Sequence, residues 1–189
     1  MPRANLGPTT VVEAAAVLAD RDGYDAVTVS AVARELGVKP ASLYAHVRDR
    51  AALLAGVHRM ATGELGHRVA DAVAGRSERA ALTGLADAHR SYARERPGAW
   101  AALNRPVTPV DAGSAEIVRL AGLTVAVLRG YGIDEAELAH AMRFVAATLS
   151  GFLGLSGSGA FDPPDLVETS WVRTLDALDR ALRAWPSSS

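Results

Sequence analysis

Cysteine is absent from the 189-residue chain, which removes disulfide scaffolds, thiolate zinc sites, iron–sulfur clusters and thiol nucleophiles together. Lysine occurs once, as Lys39, so the other basic side chains are all arginines. Neither sign of charge dominates: 20 basic against 21 acidic residues leave a net charge of −1, and with 49% hydrophobic residues the composition is that of a core-forming globule and not a disordered tail. Long apolar runs are also missing. A stretch such as Ala51 to Val57 falls far short of the roughly 18 continuous residues that span a bilayer, and Met1-Pro2-Arg3 leads into no signal-peptide core. No membrane association is expected, and the expected compartment is the cytoplasm. Alternating β-branched runs are scarce, whereas alanine, leucine, arginine and glutamate abound, so the expected fold class is all-α. At roughly 150 residues per domain, the length allows one large domain or a small one joined to a larger one.

Turn signals cut the chain into helical lengths. A first helix is expected from about Thr9 to Asp22, ended by Asp22-Gly23. Thr28 is placed to cap a second, with Val27 and Val32 as a hydrophobic staple and Val29, Val32, Ala33 and Leu36 as its buried face. Gly37 ends that helix and Pro40 opens the next, so two helices are joined by a very short turn. Asp49 caps a longer helix to about Ala74, which Gly56, Gly63 and Gly66 weaken and where it could pivot. Ser77 to Arg94 reads as a helix broken by Pro97-Gly98 ahead of a short apolar turn around Trp100 and Leu103. Arg105 to Pro109 must be non-helical. After a helix from about Ala112 to Leu128, two more are expected, one capped by Asp134 and one starting near Pro164. These carry Leu138, Met142, Val145, Leu149 and Phe152, then Val167, Trp171, Leu175, Leu178, Leu182 and Trp185, at alternating spacings of three and four.

Thr28 through Val47 therefore reads as a helix-turn-helix. On a wheel of about 100° per residue, Leu43 and Val47 face inward, which leaves Ala41 and Ala45 outward and Ser42 and Tyr44 on the flanks. Small outward side chains let a helix approach the major groove closely. Tyr44, Lys39, His46 and Arg50 surround it with donors suited to phosphate, and the start of the Asp49 helix could add backbone N–H groups. Residues 28–50 hold four basic and two acidic side chains, so each protomer would neutralise only a few phosphates, and tight binding calls for a dimer.

Leu36-Gly37-Val38, Ala41-Ser42-Leu43-Tyr44-Ala45-His46-Val47, and Asp49-Arg50 followed by Leu53-Leu54 together resemble the DNA-binding domain of the tetracycline-repressor (TetR) family of bacterial transcription regulators. The resemblance implies that Tyr44, His46 and Arg50 touch phosphates, that Lys39, Pro40, Ala41 and Ser42 contact bases, and that Thr28 places the first turn of its helix near the DNA backbone. Lys39 stands where the family usually has a capping serine. With alanine methyls and one short hydroxyl on offer, readout should favour thymine methyls and DNA shape. The resemblance further implies a DNA-binding domain over 1–50, a connecting helix over 49–74, and a ligand-binding and dimerisation domain over 75–186. Arg143-Phe144 through Gly151-Phe152 to Gly159-Ala160-Phe161 resembles a C-terminal subtype named for tryptophan, histidine and glycine, with Ser150 where its histidine is expected.

In that domain Ala147, Gly151 and Gly154 permit close backbone approach, and Leu149, Leu175, Leu178 and Leu182 could supply area to a four-helix homodimer interface; the same stripe also suits ordinary core. Candidate contacts to an unknown small-molecule effector are Tyr92, Trp100, Met142, Phe144 and Phe152, with His89 and His140 as polar handles, each also suited to core packing. The proline break at Pro106 and Pro109 and the loop at 157–159 are candidate portals. No enzyme site is assembled: His58 and His67 are nine residues apart, about half a turn out of phase, and Ser156-Gly157-Ser158-Gly159 lacks a strand-to-helix elbow. No cofactor or metal is expected. The reading is a regulator, most readily a repressor that binds a palindromic double-stranded operator as a homodimer and is released by a small hydrophobic or amphipathic ligand. The alternative is a helical small-molecule carrier or interaction protein without DNA binding.

Overall fold

The computed structural model describes residues 6–106, 113–161 and 163–186, and these contain nine α-helices and no strand. Two compact units divide the chain, one of residues 1–64 and 95–117, the other of 65–94 and 118–189. This partition differs from the one expected at residue 75, because α6 (Pro97–Leu103) joins the N-terminal unit. Val107, Thr108 and Pro109 of the expected proline break, and the Ser187–Ser189 tail, lie outside the described residues.

In the N-terminal unit α1 spans Pro8–Asp22, with Pro8 in its first turn and Gly23 beyond its end at φ 93°. A 3-10 turn, Tyr24–Ala26, leads to α2, Val29–Glu35, whose Thr28 hydroxyl accepts the Ala31 N–H at 3.1 Å as expected. Gly37 takes a left-handed φ of 66°, a conformation that a Cβ would strain. The recognition helix α3 is shorter than expected, a single turn from Pro40 to Leu43 followed by a turn to His46. Lys39 holds its N-cap position without a side-chain hydrogen bond, so nothing beyond Pro40 prepays its nucleation. Helical spacing persists through the Val47 N–H to Leu43 C=O bond of 2.9 Å. Leu43 and Val47 consequently both enter the core with Val11, Ala15, Val29, Val32 and Leu53.

Helix α4, Arg50–Val73, is continuous and contributes residues 50–64 to this unit and 65–73 to the other. Its glycines do not interrupt it. Gly56 answers a packing need, since a Cβ there would meet Val12 Cγ2 at 2.6 Å. The Pro97-Gly98 break likewise proves to be a helix start, with Pro97 in the first turn of α6.

The second unit adds α5, Glu78–Glu95, α7, Ala115–Arg129 from Val118 onward, α8, Leu138–Gly157, and α9, Val167–Arg183 behind a 3-10 turn at Pro164–Leu166. Helix α8 starts three residues later than a cap at Asp134 would place it, and the Asp134 carbonyl instead accepts the Glu137 N–H in a preceding turn. Leu82, Leu85, Tyr92, Leu128, Leu149, Trp171, Leu178 and Leu182 form the bulk of the core. Its polar ties are side-chain pairs between sequence-distant elements. Arg90 meets the Glu168 carboxylate at 2.9 and 2.6 Å, and Tyr131 donates to Asp179 at 2.7 Å. The Trp171 indole donates to Asp87 at 3.2 Å.

Candidate nucleic-acid interface

The core contacts of Leu43 and Val47 decide what the helix-turn-helix shows to solvent. Thr28, Lys39, Pro40, Ala41, Ser42, Tyr44 and Arg50 are exposed and His46 is half-buried. Tyr44 is an outward aromatic, 57% exposed. The Thr28 hydroxyl accepts the Ala31 N–H as the cap of α2, which leaves its O–H free to donate to a phosphate. The amino end of α4 is occupied as well: Asp49 Oδ1 accepts the Ala52 N–H at 2.7 Å. That bond, with help from Arg48, holds the Asp49 carboxyl below its ordinary range. Arg50 is turned back on the fold, its Nε donating to the Val27 carbonyl at 2.6 Å and its Nη2 to that of Asp25 at 3.3 Å.

A junction that sequence reasoning missed holds α6 on α1. Asp20 Oδ1, near the end of α1, accepts the N–H groups of Gly98 and Ala99 at 2.9 and 3.0 Å, while its Oδ2 pairs with Arg96 Nε at 2.5 Å. Arg96 also reaches Glu64 of α4 at 3.0 Å. Gly98 lies so close that a Cβ would stand 2.1 Å from the Ala19 carbonyl carbon. The partners are 76 to 79 residues apart, beyond the reach of any periodicity. The one local signal was a glycine directly after a helix-opening proline.

The effector candidates are dispersed. Trp100 belongs to the N-terminal unit, and Tyr92 is fully buried under the Arg68 guanidinium. Phe152 packs with Phe161 and Trp171, its ring 5.0 and 5.1 Å from theirs. Phe144 is 39% exposed beside Trp185, His140 is exposed and Met142 is half-buried. His89 shares its Nδ1 with the Leu85 carbonyl at 2.7 Å, and burial lowers its pKa, which keeps it neutral near pH 7. None of the seven lines the open groove of about 610 Å³ between α4 and α5, whose polar walls are Arg68, Asp71, Arg76, Asp87 and Ser91.

Of the dimer candidates, Leu149, Leu175, Leu178 and Leu182 are buried within the chain itself. Ala147, Gly151 and Gly154 face out. With them are exposed apolar side chains the sequence reading passed over, Leu155 and Val172, both 49% exposed.

A capped helix, a glycine turn and a one-turn reader with buried anchors and outward polar groups define a helix-turn-helix DNA-binding regulator. Comparison with known proteins agrees. Residues 11–57 match the family described as "Bacterial regulatory proteins, tetR family", and residues 82–178 match "Tetracyclin repressor-like, C-terminal domain". The HTH-type transcriptional regulator Rv0681 of Mycobacterium tuberculosis is 33% identical over 92% of this chain and 82% of its own. YobS of Bacillus subtilis is 30% identical over 89% and 88%. A TetR variant of Acinetobacter baumannii AYE, solved with minocycline, shares the fold at a TM-score of 0.74 and 24% identity, covering 97% of this chain and all of that one. Mycobacterium smegmatis BioQ does so at 0.75 and 21%, covering 96% and 100%. The chain belongs to the TetR family of transcriptional regulators.

Proposed function

We propose that this regulator is a cytoplasmic repressor that binds a palindromic operator as a homodimer and leaves it when a small apolar or amphipathic effector binds. The observation that carries the reading is the reader's division of labour: Leu43 and Val47 fix it in the core, while Lys39, Pro40, Ala41 and Ser42 lie open to base edges and Tyr44 and His46 flank them for phosphates.

The dimer reading rests on α8. By length and composition it is apolar enough to cross a membrane, at a mean hydropathy of 1.3, yet only 28% of that window is buried. A Cβ at Gly151 or Gly154 would meet nothing within 4 Å in the protomer, so no internal packing repays the roughly 1 kcal/mol that each glycine costs a helix. A second copy laying α8 and α9 against this face would cover Phe144, Leu155 and Val172 and use the close approach that the glycines allow. Gly151→Arg should therefore leave folding intact, convert the dimer to a monomer in light scattering, and weaken operator binding. A dimer of unchanged affinity would refute this interface.

For the effector, the support is the apolar α7, where Leu120, Leu123 and Val125 stay half-buried, together with a neutral, largely desolvated His89 able to hydrogen-bond a ligand. The mechanical link we favour is α4, because it is one continuous helix with residues in both units. Two recognition helices must sit about 34 to 36 Å apart, or a compatible multiple, to read successive turns. A typical coupling of about 1–3 kcal/mol between ligand and spacing would change affinity roughly 5- to 150-fold.

The deciding experiment is an anisotropy titration against the DNA flanking its own gene, with salt varied and a scrambled duplex as control. Specific, salt-sensitive binding is expected. Equal affinity for the scramble across several promoters would favour the carrier or interaction protein instead.

A further inference from the structure

We propose that Arg48, and not Arg50, is the arginine that holds an operator phosphate at the start of α4, and that Arg50 is a positioning residue that sets α2 against α4. The inference rests on the DNA-binding reading and deepens it.

Arg50 is the first residue of α4. Its two bonds run to carbonyls on either side of Ala26, in the link between the 3-10 turn and the Thr28 cap of α2. Hydrogen bonds from a guanidinium are roughly twice as strong as neutral ones, and the planar fork matches two acceptors that a single ammonium cannot span. Arg105 also lies beside this segment, 5.2 Å over the Tyr24 ring and 3.4 Å from the Asp25 carboxylate, an exposed pair that contributes little. Arg50, through its bonds to the backbone, fixes the direction in which α2, and through its short turn α3, leaves α1. An Arg50 that swung out to DNA would release the link it holds.

Arg48 is placed the opposite way. Its side chain is 84% exposed and pairs with Asp49 at 2.9 Å. Exposed pairs of this kind contribute little. The Asp49 carboxylate keeps its cap on Ala52 whether or not Arg48 stays, so moving Arg48 from that carboxylate to a phosphate exchanges one exposed anion for another and leaves α4 intact. With the Ala52 N–H already occupied, Arg48 is the exposed side-chain cation at this helix end, two residues after His46.

The test uses the full-length dimer and a duplex enriched by the wild-type protein from a random library, with a scrambled duplex beside it and salt varied. Arg48→Ala should weaken binding to both duplexes alike, lower the slope of log affinity against log salt by roughly 1.8 for two protomers, and leave the melting temperature unchanged. Arg48→Lys should restore the slope. Arg50→Lys, which keeps the charge but not the fork, should leave the slope unchanged and lower the melting temperature. Measured well below melting, its preference for the enriched duplex should drop roughly tenfold, the size of one mismatched base pair. The proposal is overturned if Arg50→Lys keeps the wild-type preference while Arg50→Ala takes the 1.8 from the slope and Arg48→Ala takes none. A wild-type protein that enriches no duplex would instead overturn the DNA-binding reading itself, and this proposal with it.

Discussion

Substituting Gly98 with alanine should pry α6 from α1. The added Cβ would lie 2.1 Å from the Ala19 carbonyl carbon, 2.2 Å from its oxygen and 2.4 Å from the Asp20 nitrogen. All three are backbone atoms in the last turns of a helix, so no rotamer change relieves the clash. To reach ordinary carbon contact, α6 must withdraw by on the order of 1 Å or more. That movement stretches the 2.9 and 3.0 Å bonds from Gly98 and Ala99 to Asp20 past useful length. Overpacking costs about 1–3 kcal/mol, and loss of an acidic cap about 1 kcal/mol more. The sum, roughly 2–4 kcal/mol, is a large share of a marginal folding free energy. At about 2–4 °C per kcal/mol for a chain of this size, the melting temperature should fall by about 4–16 °C. Asp20→Ala should cost less, and the double variant less than the two together, because both break one junction. Differential scanning calorimetry of the four proteins closes the cycle. A Gly98→Ala protein that melts within 2 °C of wild type would refute the close packing, and strict additivity would refute the shared junction.

Two further outcomes concern the recognition helix and acid stability. Lys39→Ser should supply the missing cap of α3 and stabilise the protein by about 1 kcal/mol, visible as a higher urea midpoint, while its affinity for scrambled DNA falls with the lost charge. Burial would raise the Asp179 carboxyl, but the Tyr131 hydroxyl, Arg183 at 3.1 Å and Arg79 outweigh it and hold its pKa below the ordinary value. A depressed carboxyl stabilises the fold above the unfolded pKa of about 3.9 and loses that contribution as pH falls through the folded value. Asp179→Asn should therefore lower the urea midpoint at pH 7, with the gap to wild type closing below about pH 4; a constant gap across that range would contradict the assignment.

Local chemistry made the reader legible. The Thr28 cap, the Gly37 turn and the burial of Leu43 and Val47 each depend on residues within five positions of one another. The length of α3 was not legible, since a wheel drawn through Val47 cannot show that the regular helix ends at Leu43. Arg50 was read as a free cation because its carbonyl partners lie more than 20 residues earlier. The leucines of α8 and α9 show a different limit: spacings of three and four mark a surface that must be covered, and the chain's own helices compete with a second copy to cover it. The α1–α6 junction left even less trace, because a glycine needed for tertiary approach looks in sequence like one that breaks a helix.

The chain's single lysine stands exposed at the head of the recognition helix. Amine chemistry, which on most proteins scatters over many sites, is therefore addressed here to one point on the reading surface besides the α-amine. An acylating reagent would act as a titrant of the reader, a fluorophore coupled there would report its occupancy, and bound operator would protect it.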